Sequence, residues 1–202
     1  VIENERRVAG MSGGDIPNFD ISKIFDETGP IAVKLLTEAK IRSTVVDILD
    51  DAQRGDTFDL AMFYLSERSV IDALVDASNW GAIIRVILDP NKDAFGFTKN
   101  GIPNRPVAKE LRKKTGSAIN IRWCDTHGEQ CHAKYFSGRT ATSMFLMVGS
   151  ANFTRRNIGG FNLEASVIAS SNEPFTAWRE GQKYFERLWS NTDGIFTTDY
   201  RT

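Results

Sequence analysis

Residues 58–90 read FDLAMFYLSERSVIDALVDASNWGAIIRVILDP and divide by periodicity into three pieces. The first, 58–65, is an apolar-rich run of strand length. Val70, Ile71, Leu74 and Val75 then recur at helical spacing behind Ser66, a residue suited to an N-cap. Gly81 hands over to a second apolar strand, AIIRVILDP. Strand, helix and strand at this length form a βαβ unit, which predicts parallel pairing.

Downstream, NKDAFGFTKNGIPNRP reads as a loop in which Phe95 and Phe97 pack between lysines. A helix (VAKELRKKTG) and a strand (INIRW) follow, and HAKYF and SMFLMV flank the turn GRTAT. A short helical turn, TRRN, leads to the strand NLEASVIA. The last helix opens with Pro174 in its first turn and buries Phe175, Trp178, Phe185, Leu188 and Trp189. The alternation predicts an α/β fold: a mixed, largely parallel sheet with helices on both faces. Upstream, residues 1–18 read as a linker or tail and 19–55 as a helical extension in two pieces. Leu35, Leu36, Ala39, Val45, Val46, Ile48 and Leu49 recur there at near-helical spacing, with Gly55 as a stop. Residues 56–202 then form the main domain.

The 202 residues suit one well-packed domain, and no apolar run approaches the ~20 residues of a membrane span. A net charge of −1 gives no bulk attraction to nucleic acid or anionic membrane. Cys124 and Cys131 make no disulfide framework, and their plain reading is a reducing compartment. A cytoplasmic or membrane-peripheral location is therefore expected. Cys124, His127, Cys131 and His132 are all zinc-ligand types, but CDTHGEQCH matches no known spacing of a zinc module. Neighbours on a strand also point to opposite faces, so no metal is expected here.

Three polar pairs share one spacing: His132 with Lys134, Ser150 with Asn152, and Asn162 with Glu164. Residues two apart on a strand share a face, so each pair can project toward one point. One nucleophile, one cation, neutral donors and a carboxylate suit chemistry on a tetrahedral anion. Asn152 and Thr154 also suit the cap of the turn before TRRN.

The order HAK, GSAN and NLE resembles the signature of the phospholipase D superfamily, H-x-K-x4-D, then G-S-x-N, then a carboxylate a short strand later. The pattern departs at one place, where Arg139 stands for the motif Asp. Tyrosyl-DNA phosphodiesterases, in the same superfamily, also lack that Asp. The resemblance implies a phosphodiesterase or phosphatidyltransferase working through phosphohistidine, without metal or cofactor. It implies His132 as nucleophile, Glu164 as its orienter, and Lys134, Gly149, Ser150 and Asn152 around the phosphoryl oxygens, with Asn162 beside them.

The superfamily uses two H-x-K motifs per site, and this chain has one. The missing half is expected in cis, from further sequence, or in trans, as a homodimer. The start at Val1 and the linker-like first residues favour a C-terminal half of a phospholipase D or cardiolipin synthase-like protein. A phospholipid substrate is favoured because the chain is not basic. A nuclease of the same superfamily, and a non-catalytic half that serves as an interaction surface, are the alternatives.

Overall fold

The computed structural model describes residues 30–90, 104–125 and 130–200. In chain order the elements are β1 (Ala32–Thr37), α1 (Ala39–Asp50), β2 (Thr57–Met62), α2 (Arg68–Asn79) and β3 (Ile83–Leu88). Then come α3 (Asn104–Thr115), β4 (Ile119–Cys124), β5 (Lys134–Arg139), β6 (Met144–Gly149) and α4 (Arg155–Ile158). The chain ends with β7 (Ala165–Ser171), α5 (Thr176–Ser190) and β8 (Thr197–Asp199).

All strands join one eight-stranded sheet in the order β1-β7-β6-β5-β2-β3-β4-β8. The βαβ reading holds, since β2 pairs β3 in parallel, and β3 pairs β4 the same way. The expectation of a largely parallel sheet is corrected, because the other pairings are all antiparallel. Between β5 and β6 the cause is local: the short turn Thr140–Ser143 leaves no room for the crossover that parallel strands require.

Helices cover both faces unequally. Phe58, Leu60, Ile84, Val86, Phe136 and Met147 join residues of α1, α2 and α3 in the main core. On the opposite face Ala61, Ile87, Tyr135 and Phe185 form a smaller cluster with Leu188 and Trp189 of α5. That helix is anchored by Arg85, which bonds Asp59 at 2.7 Å and Glu186 at 2.8 Å and lies over the Phe185 and Trp189 rings.

Two upstream expectations change. Leu35 and Leu36 lie in β1, an edge strand paired to β7, and not in a helix. Pro30 precedes it, Val33 and Leu35 alternate with Lys34 and Leu36, and a period of two has outweighed the helical count. α1 is no peripheral extension either. It buries Ile41, Val45 and Leu49 completely in the main core, each contributing about 1.5–3 kcal/mol. At α2 the N-cap is Glu67, one residue beyond the expected Ser66. The stretches read as a tail (1–18) and as a phenylalanine-bearing loop (Phe95 and Phe97) lie outside the described residues.

Candidate active site

Backbone register brings the first two polar pairs and Glu164 of the third to one end of the sheet. Tyr135 pairs with Val148, so Lys134 falls opposite Gly149, and Gly149 pairs with Ser166. Met62 pairs with Lys134 on the other side. A row Met62–Lys134–Gly149–Ser166 thus crosses β2, β5, β6 and β7. His132 lies two residues before Lys134, Ser150 directly after Gly149, and Glu164 two residues before Ser166.

His132 is exposed, on the approach to β5, and its amide N–H donates to the Gln130 carbonyl at 2.9 Å. Its ring meets the Phe63 ring edge-on, with centroids 4.7 Å apart. Lys134 donates from Nζ to the His132 carbonyl at 3.0 Å and lies 5.2 Å from the centre of the same Phe63 ring. Burial pulls the Lys134 ammonium down to about 8, against the nearby Glu164 charge, which favours the cation.

Glu164 sits in a polar relay. One carboxylate oxygen accepts from the Ser150 hydroxyl and the other from the Asn157 side-chain amide. Asn157 is in turn fixed by Thr154, the N-cap of α4, whose hydroxyl donates to Asn157 Oδ1 at 2.6 Å. The carboxylate is thus held by Ser150 and Asn157. Gly149 is needed where β6 and β7 meet, because a Cβ there would overlap Ser166 and the Ala165 carbonyl.

Asn152 is half-buried, and its Oδ1 is buried without a hydrogen-bond partner. An amide in that position can turn to offer its N–H to an anion. Asn162 does not join the cluster. Its Oδ1 accepts from Arg156 Nε at 3.3 Å, and its backbone N–H donates to the Arg156 carbonyl at 3.1 Å. Arg139 is exposed at the far end of β5, about 17 Å along the strand from Lys134. A side chain there cannot reach Lys134.

Asn157 and Phe63 were not singled out from sequence. Thr154-x-x-Asn157 did carry a capping signal for the first, whereas nothing local marked the second. The cysteines correct an expectation as well: Cys124 at the end of β4 is disulfide-bonded to Cys131, with Cα atoms 6.2 Å apart. Disulfide sulfurs are not thiolate ligands, so two of the four zinc-type donors are lost, and His127 lies outside the described residues. No three His, Cys, Asp or Glu side chains among the described residues group to hold a metal. No helix among them is long and apolar enough to cross a membrane.

A cavity of about 180 Å³ adjoins His132 between Cys131 and Leu188, and a groove of about 340 Å³ runs beside Lys134, Leu146, Val148 and Tyr184. A larger hollow of about 450 Å³ opens at the other end of β5, by Thr140–Ser143.

Residues 45–189 match the family described as cardiolipin synthase, phospholipase D-like domain. The fold resembles that of Nuc from Salmonella typhimurium, a phospholipase D family member. The two share 18% identity with a TM-score of 0.59, over 86% of this chain and 100% of that one. NucT from Helicobacter pylori superposes with a TM-score of 0.63 at 11% identity, over 85% of this chain and 100% of its own. Phosphatidylserine synthase of Haemophilus influenzae gives 0.59 at 10% identity, over 85% of this chain but 40% of the synthase. At these identities the likeness is one of fold. No curated protein sequence matches the chain.

Proposed function

The chain belongs to the phospholipase D-like family, and on that premise we propose that it breaks phosphodiester bonds through a phosphohistidine, by hydrolysis or by transfer to an alcohol. The observation that carries this is the row of site residues at one end of β5, β6 and β7, with a partly desolvated Lys134 at its centre.

In this reading an imidazole nitrogen of His132 attacks phosphorus, a P–N bond forms, and the P–O bond to the leaving group breaks. Lys134 offsets the phosphoryl charge, and Ser150 and Asn152 give neutral hydrogen bonds. The leaving alkoxide takes a proton from an acid on a second half. Water or an alcohol then attacks phosphorus, gives up its proton, and the P–N bond breaks to restore the imidazole. Glu164 holds Ser150 in place and supports the Lys134 cation.

A phospholipid remains the favoured substrate. The chain carries a net charge of −1, and beside Glu164 the side chains of Phe161 and Leu163 are 68% and 94% exposed. For the second half, a sheet face offers a seat. Leu35, Val167 and Val148 are in register across β1, β7 and β6, all exposed on the α5 side. A second copy of the chain placed there would bring another His132 toward the first.

The test is cleavage of a chromogenic phosphodiester by the chain and by His132→Ala, with quenched protein assayed for acid-labile phosphate. Turnover and labelled protein, both lost in the variant, are the expected result. Turnover retained by His132→Ala would overturn the mechanism.

A further inference from the structure

We propose that Phe63, held from behind by Asn104, is a positioning residue for both the His132 imidazole and the Lys134 ammonium; the proposal rests on the reading of His132 as nucleophile. Asn104 opens α3 and is fully buried, far in sequence from the site. Its Nδ2 donates to the Phe63 carbonyl at 2.7 Å and to the Asp89 carbonyl at 3.0 Å. Its Oδ1 accepts from the Leu65 amide at 3.0 Å. One amide side chain thus ties the end of β2 to the end of β3, and each of its bonds is to backbone that a different side chain would leave unsatisfied.

What Asn104 fixes, the site uses. The Phe63 amide donates to the Ala133 carbonyl at 2.9 Å, between the nucleophile and the lysine. The ring is buried, stacked on Tyr64 at 3.9 Å, and meets the His132 ring edge-on. It also lies under Lys134 Nζ. An in-line attack needs one orientation of the imidazole. The T-shaped contact with Phe63 bears on that orientation. The centre of the Phe63 ring lies 5.2 Å from the Lys134 ammonium, whose burial pulls it down to about 8. The same segment also reaches the opposite wall. Phe153, next to Asn152, donates from its amide to the Tyr64 carbonyl at 3.0 Å and accepts from the Ser66 and Glu67 amides. Asn104 therefore sets the distance between the two halves of the phosphate site.

Phe63→Leu removes the ring while leaving an apolar side chain and both backbone bonds. The control is Leu49→Ala in α1, a core change away from the site. Two readouts apply to each full-length chain: the Lys134 ammonium titration by NMR, and kcat and KM for a chromogenic phosphodiester. For Phe63→Leu the Lys134 midpoint should rise from about 8 toward the ordinary lysine range. Its kcat should fall on the order of 100-fold, the scale expected when a reacting group is misplaced. Leu49→Ala should leave the midpoint unmoved and kcat within about twofold despite its lower Tm. An unmoved midpoint in Phe63→Leu, or an equal move in Leu49→Ala, would overturn the proposal. If the unaltered chain cleaves no diester, the reading of its activity falls. The Lys134 titration and the affinity for orthovanadate, which does not need turnover, then still decide the role of Phe63.

Discussion

Ser150 donates its hydroxyl hydrogen to Glu164 across the ends of β6 and β7, and Asn157 holds the other oxygen of the same carboxylate. Glu164, which the resemblance pairs with His132, is thereby also a partner of Ser150 and an electrostatic neighbour of Lys134. Glu164→Gln tests this directly. The Glu164 charge favours the lysine cation, so removing it lets the amine fall further below about 8. The alkaline limb of kcat/KM, which reports the free enzyme, should move to lower pH. For the unaltered chain the sign is also fixed. Lys134 is a cation below about pH 8 and loses its charge above it, so KM should rise through that range. A pH–rate series on both chains checks the two limbs, and coincident limbs would remove Glu164 from the electrostatics of the site.

His132→Ala should abolish turnover and leave stability within roughly 1 kcal/mol, because an exposed side chain on a lead-in loop carries little packing. Urea denaturation beside the activity assay separates the two effects. A loss of stability as large as a core truncation would make His132 a structural residue.

Sequence made the βαβ unit readable because β2 and β3 are largely buried and their apolar runs are broken only by Asp59 and Arg85, which pair with each other. It hid β1, whose Val33 and Leu35 are exposed apolar residues at an edge and imitate half of a helical stripe. The site pairs stood out by their shared spacing of two, although of the first two pairs only Lys134 lies in a strand, with His132 just before β5 and Ser150 and Asn152 just after β6. Asn162 does not join them, because the loop before β7 turns its amide to Arg156. Asn104 could not be found by any local pattern. Its bonds run to residues 15, 39 and 41 positions away, a separation that only the folded chain closes.

The Cys124–Cys131 link closes a seven-residue separation between the end of β4 and the residue before His132. By loop-closure entropy it contributes about 2 kcal/mol. Alkylation of the unfolded, unreduced chain should find no free thiol. Melting with and without a phosphine reductant should show a lower Tm for the reduced chain, together with weaker activity as the His132 lead-in loosens. Two free thiols in protein handled without reductant would sink this prediction.

Asp59 is buried beneath α5, where Arg85 bonds it through Nε at 2.7 Å and through a second nitrogen at 3.0 Å. Gln182 and Glu186 of α5 both act on the same carboxylate, so the pair is a floor for the helix. Asp59→Ala leaves the half-buried guanidinium with Glu186 as its acid partner. The loss should be about 3–5 kcal/mol by urea denaturation, the range for breaking one side of a buried pair. A change below about 1 kcal/mol would show that Glu186 alone satisfies Arg85.

The exposed row Leu35–Val167–Val148 tests the need for a second half. Leu35 is 69% exposed and Val33, two residues earlier on the same face of β1, is 64% exposed, an arrangement water does not reward. β1 is also an edge strand with little else buried, so a charge at position 35 costs the fold little. A charge within an apolar contact between two copies, by contrast, opposes association. Leu35→Glu should therefore keep its Tm within a few degrees and shift sedimentation from dimer toward monomer. Its specific activity should fall with dilution more steeply than that of the unaltered chain, because each His132 site would lose the acid donated from across the interface. A Leu35→Glu chain that stays dimeric would remove this row from the interface, and a monomer that retains full activity would show that one half completes the reaction alone.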